Sequence, residues 1–446
     1  MLNDLDEAAP PPHFWSWKKV IFWPLGALVA VIVGLWAYDE KLEPYDDLQP
    51  LEAADQDPSR NGYYFLKARW EILPEIKQED KNRLADMLSG KTSWDPALVD
   101  ALRKGRETVL ADVKEALKRP DFKSPAIMAF DDPELSRVSE MVKPMRLFAM
   151  EIQAAVHAGD MEKAMEIWED MHALSTRCIG GSQSLMALLV GTSMQSLILA
   201  KTNDMLATGK LTESQVDRLD AALRTDLRHA EVWRRIMRGE AVFSRSLIEV
   251  IASGRTDAAF PRHYKYARLL LKKNKTLNRS NEKHRFLAQQ GFTTYPDIQS
   301  AKAARYLSGD VEAPKWARYA DINYVGTSLS RDDDGSFQQV LSSLRIKMLF
   351  EPRALRVKIA ILRWQQTHPG QWPATLRELV PDFLTEVPED PFNGRELQWD
   401  PGKKIIFSVG SDWLANDPKF KDAFAWSATD HASPGLRMER PPAPPP

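Results

Sequence analysis

One uncharged stretch near the start of the chain, residues 20–38, constrains what the rest of the protein can form. Its nineteen residues carry no charged side chain, and as a helix rising about 1.5 Å per residue they would span about 28 Å, close to the hydrocarbon thickness of a bilayer. Trp15 and Trp17 precede the stretch, and Trp36 and Tyr38 end it, which places aromatic rings at both membrane interfaces. We therefore predict a transmembrane anchor at residues 20–38.

The orientation of this anchor follows from the charges on its two sides. Lys18 and Lys19 stand just before it, whereas the residues after it are acidic, beginning with Asp39 and Glu40. Basic residues favour the cytoplasmic side of a membrane, so we predict a cytoplasmic tail at residues 1–19 and the bulk of the protein outside. A cleaved signal peptide is less favoured, because its apolar core would be shorter and would end in small residues.

The remainder of the chain is long enough for two or more domains and has no strong overall charge. Its 60 basic and 62 acidic residues leave a net charge of -2 over 446 residues, so no global field attracts the protein to nucleic acid. Cys178 is the single cysteine, which excludes an internal disulfide and a multi-cysteine metal site. We predict that it is a small buried thiol and not a nucleophile.

Residues 39–60 connect the predicted anchor to the first folded domain. The stretch is acidic and is interrupted by Pro44, Pro50 and Pro58, and prolines disfavour the interiors of helices and strands. We predict a linker that holds the folded part away from the membrane.

Helical periodicity dominates residues 61–335, which we predict to form an all-helical bundle domain. Apolar residues recur at helical spacing across residues 98–117, which indicates one half-buried helix that Pro120 ends. Gly159 and Asp160 are typical of a helix end followed at once by a new helix start. They predict a helical hairpin.

A second uncharged stretch, residues 179–200, has the length of a membrane span. Its serine, threonine and glutamine side chains would each be costly in hydrocarbon, so we predict the central buried helix of the bundle instead. Thr212 and Gln215 form a capping-box pattern before a further helix. Residues 232–251 show another amphipathic run.

The chain is basic between residues 262 and 285, with tyrosines between the basic residues. Clusters of this kind bind the phosphates of anionic lipids or nucleic acids. A solvated helix face is the alternative interpretation, and a domain outside the membrane would not meet nucleic acid. The candidate residues for an anionic surface are Lys265, Arg268, Lys272, Lys273, Lys275 and Arg279.

The chain changes character near residue 336, where we predict a small α+β module that extends to residue 426. Residues 340–366 have the pattern of a long helix, and a Pro-Gly pair ends it. Two short apolar strands flank the turn at residues 400–403 and predict a hairpin. The proline-rich residues 427–446 predict a disordered tail. The expected fold is therefore mainly α, with a transmembrane helix, a helical bundle and a small α+β module.

The order of motifs in this module resembles the globular part of the major pseudopilins of type II secretion. The long helix is followed by His-Pro-Gly-Gln-Trp-Pro at residues 368–373, by Val-Pro-Glu-Asp-Pro-Phe-Asn-Gly at residues 387–394, and by Phe-Ser-Val-Gly-Ser-Asp at residues 407–412. The chain is also similar to uncharacterised, membrane-anchored bacterial proteins with this module behind a helical domain. The resemblance implies a bacterial inner-membrane protein with its bulk in the periplasm, and it carries no established activity.

The resemblance also implies a candidate metal site. In those pseudopilins the loop after the last strand can bind calcium through oxygen ligands, and Asp412, Asn416 and Asp417 occupy the matching loop here. A plain surface loop is the alternative, and no other cofactor is expected. The predicted anchor lies far upstream of the module, unlike the pseudopilin arrangement, so assembly into a fibre is not expected.

Short motifs that mark common catalytic sites are absent from the sequence. It has no motif of zinc hydrolases, serine hydrolases, phosphate-binding loops or dinucleotide-binding folds, and it identifies no small-molecule substrate. We therefore predict a non-catalytic, single-pass envelope protein that binds other envelope proteins within a secretion or surface-assembly system. Two alternatives stay open: an envelope hydrolase with a site between the two domains, and a surface for anionic lipid or nucleic acid at residues 262–285.

Overall fold

The fold is mainly helical and includes a small antiparallel sheet, in agreement with the predicted class. The computed structural model of the chain describes Ala30 and residues 38–49, 51–129, 132–142, 144–224, 229–254, 271–290, 323, 340, 343–409 and 435–438. The predicted cytoplasmic tail and the predicted anchor, apart from Ala30 and Tyr38, lie outside the described residues.

In the described part of the chain, the bundle is built from helices that pack around one main core and two smaller ones. The helices are α1 (Gly62–Trp70), α2 (Gln78–Ser89), α3 (Pro96–Arg103), α4 (Val109–Leu117), a helical turn at Glu134–Arg137 that continues into a 3-10 helix at Val138–Val142, α5 (Met145–Ala158), α6 (Met161–Gly180), α7 (Leu185–Ala207), α8 (Glu213–Leu223), α9 (His229–Ser253) and α10 (Lys273–Gln290). Trp168 lies in the main core, where its indole N–H donates to the hydroxyl of Thr202 at 2.7 Å. The buried indole therefore has a hydrogen-bond partner.

Helices α5 and α6 form the predicted helical hairpin. Gly159 ends α5 in the left-handed region with a φ of 79°, a conformation that suits glycine because it lacks a Cβ. The side chain of Asp160 accepts a hydrogen bond from the backbone N–H of Lys163 at 2.9 Å and so caps α6. The two helices pack against each other, which confirms the prediction.

Residues 98–117 form two helices, α3 and α4, so the prediction of a single helix is wrong. Gly105 lies between them with a φ of 74°, outside the right-handed helical region. The side chain of Arg106 donates to the carbonyl oxygens of Leu102 and Pro74 at 3.0 Å and 2.6 Å. Helix α3 packs with α2 and α5, whereas α4 reaches the main core. The apolar residues at positions 98–117 therefore pack in two different places, those of α3 against α2 and α5 and those of α4 in the main core.

Helix α7 lies at the centre of the bundle, as predicted, although its bounds differ from the expected residues 179–200. Ile179 and Gly180 end α6, and the Ser184 side chain caps α7 by accepting from the backbone N–H of Ala187 at 3.2 Å. Among the described residues, one helix is long and apolar enough to cross a membrane, and it is α7. Buried residues make up 61% of its most apolar part, and other helices pack around it.

Two predicted helices after α7 are confirmed. The Thr212 side chain caps α8 by accepting from the backbone N–H of Gln215 at 3.3 Å, while the Gln215 side chain accepts from the backbone N–H of Thr212 at 3.0 Å. The amphipathic run at residues 232–251 lies within α9, and its apolar side packs against α10.

One long helix belongs to both the bundle and the C-terminal module. A π-helical turn at Ile346–Phe350 leads into α11 (Glu351–Thr367), which forms most of the predicted long helix. Leu355 and Ile359 lie in the main core of the bundle, whereas Val357, on another side of α11, lies in the core of the module. The predicted boundary at residue 336 therefore does not separate two independent cores.

The module contains a small antiparallel sheet that packs on α11. A 3-10 helix at Leu376–Leu379 precedes β1 (Gln398–Asp400) and β2 (Ile405–Phe407), which form the predicted hairpin. A further strand, β3 (Gly435–Arg437), pairs with β2. The prediction of a disordered tail at residues 427–446 is therefore wrong at residues 435–438, and the rest of that range lies outside the described residues.

The segment after the predicted anchor lies against α10 and is not the free linker predicted at residues 39–60. The carboxylate of Asp39 accepts hydrogen bonds from the backbone N–H groups of Asn274 and Lys275 at 2.8 Å and 3.1 Å. Leu48, farther along the segment, is buried. An acidic, proline-containing sequence is typical of a solvated linker, but here distant residues supply its hydrogen-bond partners.

Candidate functional site

A cleft of about 660 Å³ opens between the bundle and the C-terminal module. Its walls come from α2, α5, α7, the π-helical turn, α11 and β3, and most of the wall residues are apolar. Clefts of this size, with a few polar groups in an apolar lining, are typical of ligand-binding sites. The polar residues on the walls are Ser89, Arg146, Ser196, Lys201, Asn203, Asp204 and Glu351.

Ser196 on α7 and Glu351 at the start of α11 form the first polar pair of the cleft. The Ser196 hydroxyl lies 2.9 Å and 3.1 Å from the two carboxyl oxygens of Glu351 and donates to this group. Burial raises the pKa of Glu351 to about 7, while the hydrogen bond from Ser196 opposes part of the rise. Glu351 therefore gains and loses its proton near neutral pH, where an ordinary glutamate is ionised.

Asn203 on α7, which lines the cleft, and Lys358 on α11, which is not one of the wall residues, form the second pair. The Lys358 ammonium donates to Asn203 Oδ1 and, at 3.1 Å, to the carbonyl oxygen of Met438, just after β3. Burial lowers the pKa of Lys358 to about 8, and the nearby charge of Asp204 opposes part of the fall. One buried side chain thus connects α7, α11 and the end of β3.

The two pairs show that α7 and α11 run in the same direction where they meet. Ser196 and Asn203 are seven positions apart, as are Glu351 and Lys358. Seven residues make about two helical turns, or roughly 10.5 Å, so both polar residues of each helix lie on one face. Leu355, which also lines the cleft, lies between the two polar levels of α11. Where α7 and α11 face each other, an apolar level at Leu355 therefore lies between two polar pairs.

A buried ion pair on α7 adds further charges to the wall. Lys201 is only 2% exposed, and its ammonium donates to Asp204 Oδ2 at 2.7 Å, to the carbonyl oxygen of Leu88 at 3.1 Å and to Gln153 Oε1 at 3.3 Å. An ammonium has three protons, and each has a partner here. The protein itself therefore holds Lys201, which positions Asp204 on the wall.

Arg146 differs from these charges because its guanidinium has no partner among the residues that the structure describes. It is exposed on the first turn of α5, and it also lines a second cavity of about 390 Å³. Arginine binds carboxylate and phosphate groups through two parallel hydrogen bonds. Arg146 is therefore well placed to receive an anionic group of a ligand.

The Ser196–Glu351 pair has only part of what a catalytic serine requires. A carboxylate with a pKa near 7 suits a general base. However, Ser196 lies inside α7, where the neighbouring backbone N–H groups bond within the helix and so are not free to stabilise an oxyanion. No histidine is among the described residues that line the cleft.

The predicted calcium ligands Asp412, Asn416 and Asp417 lie outside the described residues, so the calcium site stays a prediction. Within the part of the chain that the structure describes, no group of three or more histidine, cysteine, aspartate or glutamate side chains could hold a metal ion. The polar groups of the cleft therefore do not form a metal site of that kind.

The described part of the predicted anionic surface lies at the start of α10 and does not line the cleft. Lys273 lies 3.7 Å from a carboxylate oxygen of Glu249, and Lys275 lies 3.9 Å from one of Glu40. These carboxylates offset part of the basic charge, which favours the interpretation as a solvated face. Of the candidates, Lys272, Lys273, Lys275 and Arg279 are at this end of α10, whereas Lys265 and Arg268 lie outside the described residues.

Cys178 is a buried residue of the main core, as predicted. Burial raises the pKa of its thiol to about 12, so the thiol stays protonated and unreactive at neutral pH. His172 is also buried, and its ring stacks on Trp168 with centroids 5.0 Å apart. Burial lowers the pKa of His172, so its imidazole stays neutral and acts in packing.

The cleft residues were not identified from the sequence. Ser196 and Glu351 are 155 positions apart in the chain, and helical periodicity gives no information about contacts at that distance. A weak signal does exist at Lys358, which interrupts an otherwise apolar run between Val357 and Ile359. A charged residue in such a run either reaches solvent or finds a buried partner.

Comparisons with known proteins give no match. No family model matches the chain, and neither a curated protein nor a solved structure matches it. The resemblance to pseudopilins therefore rests on the sequence motifs alone.

Proposed function

We propose that the protein is a single-pass, membrane-anchored envelope protein that binds another envelope protein in the cleft, without catalysis. The observation that carries the proposal is the cleft between bundle and module, which combines an apolar wall, the Ser196–Glu351 pair, Asn203 and the exposed Arg146. The uncharged stretch at residues 20–38 supports the anchor. The lysines before it support a periplasmic position for the folded part.

The cleft indicates the chemistry of the segment that it binds. Its leucine, isoleucine and phenylalanine side chains suit apolar side chains of a partner, because removal of apolar surface from water favours association. Arg146 suits a carboxylate of the partner. Glu351 in its protonated form offers a further hydrogen-bond donor. We therefore expect an apolar segment of a partner protein that carries an acidic group.

The shared helix α11 supports a binding role because it keeps the cleft walls in place. It contributes to both cores, and Arg356 Nε donates to Asp220 Oδ1 of α8 at 3.3 Å. A cleft that is already formed loses less conformational entropy on binding than one that must be assembled. The geometry is thus suited to binding a preformed or extended segment.

Site-specific photo-crosslinking in intact cells tests this proposal. A photoreactive residue at Ala200, which is exposed on the cleft wall, is expected to crosslink an envelope protein. The same residue at Asp100, exposed on α3, is expected not to capture that protein. The crosslinked peptide, identified by mass spectrometry, should contain apolar residues and an aspartate or glutamate.

Charge reversal separates specific binding in the cleft from simple proximity. Arg146→Glu should weaken the crosslink from Ala200 by about tenfold, which corresponds to about 1.4 kcal/mol. Arg377→Glu is the matched control, because Arg377 is exposed on the module and lies outside the cleft. A crosslink from Ala200 that survives Arg146→Glu, or equal capture from Asp100, would contradict the proposal.

A hydrolase with its site in the same cleft is a second candidate, favoured by the hydrogen bond between Ser196 and Glu351. A fluorophosphonate probe, which reacts with activated serines, distinguishes the two candidates. We expect no labelling at Ser196, because nearby backbone donors are held within α7. Labelling that Ser196→Ala abolishes would establish the hydrolase and contradict the non-catalytic proposal.

A further inference from the structure

The chain segment that follows the predicted anchor is bonded to one end of the bundle. Tyr38 is the last residue of the uncharged stretch, and the carboxylate of the next residue, Asp39, accepts from the backbone N–H groups of Asn274 and Lys275. The Asn274 side chain in turn donates to the carbonyl oxygen of Glu40 at 2.9 Å. The first turn of α10 therefore lies beside the residue at which the predicted span ends.

The segment then follows α10 along its length. Asn278 donates to the carbonyl oxygen of Lys41 and accepts from the backbone N–H of Glu43, both at 2.9 Å. Farther along, Arg285 donates to both carboxylate oxygens of Asp47 at 2.7 Å and 2.8 Å. The contacts advance in the same order on segment and helix, so the two run in parallel. The helical positions between the first and last contact span about 16 Å.

Charge does not distinguish the two ends of this pair of elements. The end next to Tyr38 carries four lysines, but the carboxylates of Asp39, Glu40 and Glu43 belong to the same end. The distal half carries basic residues such as Arg285 beside the exposed carboxylates of Asp46 and Asp47. The chain connection to Tyr38, and not charge, therefore selects the end that faces the headgroups. Its lysines are Lys41, Lys272, Lys273 and Lys275.

We infer that the bundle stands on the bilayer through this end, with α10 directed away from the membrane and the four lysines level with the phospholipid headgroups. Because the anchor is part of the proposed function, this orientation depends on it. Glu40 and Glu249 offset part of the lysine charge, so charge alone does not hold the contact. The covalent tether keeps the end at the surface at a high effective concentration, and a zwitterionic bilayer is therefore sufficient.

Fluorophores at the two ends of α10 test the orientation in the full-length protein, reconstituted in phosphatidylcholine vesicles. Lys273→Cys and Gln289→Cys place one reactive thiol at each end, about 24 Å apart along the helix. The natural Cys178 should not react with the fluorophore, because it is buried and the pKa of its thiol is about 12. Lipids with a nitroxide on the headgroup should quench the label at position 273 several-fold more strongly than the label at position 289.

Each result of this experiment decides between named alternatives. Equal quenching at both positions would overturn the upright orientation in favour of a helix that lies along the surface. Quenching at neither position, in protein that floats with the vesicles, would overturn the contact between the bundle and the headgroups but not the anchor. Protein that does not float would contradict the anchor and with it the proposed function.

Anionic lipid supplies the remaining test of what holds the contact. Because the lysines are partly offset by carboxylates, added phosphatidylglycerol or a rise in salt concentration should change the quenching at position 273 only slightly. Quenching that appears only with the anionic lipid, and that salt removes, would overturn the role of the tether and would support an electrostatic binding surface instead.

Discussion

The contact of residues 39–47 with α10 and the cleft use charged groups in opposite ways. In the contact with α10, the side chains of Asp47 and Arg285 are 55% and 28% exposed. By contrast, Lys201, which lines the cleft, and Lys358, which bonds to the cleft residue Asn203, are each only 2% exposed. Exposed ion pairs contribute little to stability, and buried charges are costly unless they are fully paired. The contact with α10 is thus architectural. The cleft retains groups that folding alone does not favour, as is common at functional sites.

The largest loss of stability is expected at the buried ion pair of Lys201 and Asp204. Asp204→Ala leaves the Lys201 ammonium buried without its carboxylate, and breaking a buried pair in this way costs about 3–5 kcal/mol. The bonds from Lys201 to Leu88 and Gln153 remain, so we expect a loss near the lower end of that range. Chemical unfolding of the reconstituted protein, followed by circular dichroism, measures it.

A double variant shows whether the uncompensated charge is the cause. Replacement of both partners, Lys201→Met with Asp204→Leu, leaves no charge buried and should recover most of the lost stability. A double variant as unstable as Asp204→Ala would break the comparison, because it would assign the loss to packing.

Glu351 is expected to make a smaller contribution to the free energy of unfolding, and this contribution depends on pH. Its pKa rises from 4.5 to about 7 on folding, so the folded protein holds this proton more tightly than the unfolded chain does. The corresponding stability is fully present below pH 4.5 and is lost as the pH rises through about 7. The loss is at most about 3 kcal/mol. Glu351→Gln keeps an acceptor for Ser196 and should remove this dependence.

Unfolding by urea at a series of pH values measures the Glu351 effect. Lys358 does not obscure it, because the lowered pKa of Lys358, about 8, leaves its charge nearly constant over the acidic half of the series. The free energies of unfolding of Glu351→Gln and of the natural protein should diverge as the pH rises. Parallel curves would show that the cleft does not perturb this carboxyl group.

The smallest losses of stability are expected where residues 39–47 contact α10. Arg285→Ala removes the pair with Asp47 and should cost about 1 kcal/mol or less, and salt should reduce the difference. Arg285 holds the pKa of Asp47 below its ordinary value, so this contribution is lost as the pH falls through that lowered pKa. The measurement is urea unfolding at low and high salt.

Lys273→Ala is the matched control for Arg285→Ala. The pair of Lys273 with Glu249 joins two half-exposed side chains at 3.7 Å, so we expect an even smaller change. A loss above about 2 kcal/mol from either variant would break the comparison, since exposed pairs do not contribute that much.

The parts of the fold that the sequence predicts well are those that neighbouring residues determine. Gly159 with Asp160, and Thr212 with Gln215, set helix ends through local hydrogen bonds. The docking of the segment after the predicted anchor could not be predicted in this way. Asp39 bonds to a helix 235 positions away, and an extended acidic segment has the same local pattern whether or not a partner is present.

The cleft residues were harder still to predict, because their pKa values and hydrogen bonds result from the packing of distant parts of the chain. Glu351 begins a helix, where an acidic residue is favourable and is usually solvated. Its raised pKa results from burial against the bundle, which the local sequence does not show. The seven-residue spacing on α7 and α11 becomes informative only when the two helices are known to face each other.

Helix α11 also determines which shortened forms of the protein can remain soluble. A chain that ends before residue 340 lacks Leu355 and Ile359, and the bundle surface that they cover becomes exposed. A chain that begins there carries the same two side chains into water. Uncovered apolar surfaces of this kind promote aggregation. Proteolysis between the bundle and the module would therefore yield two aggregation-prone fragments and not two working domains.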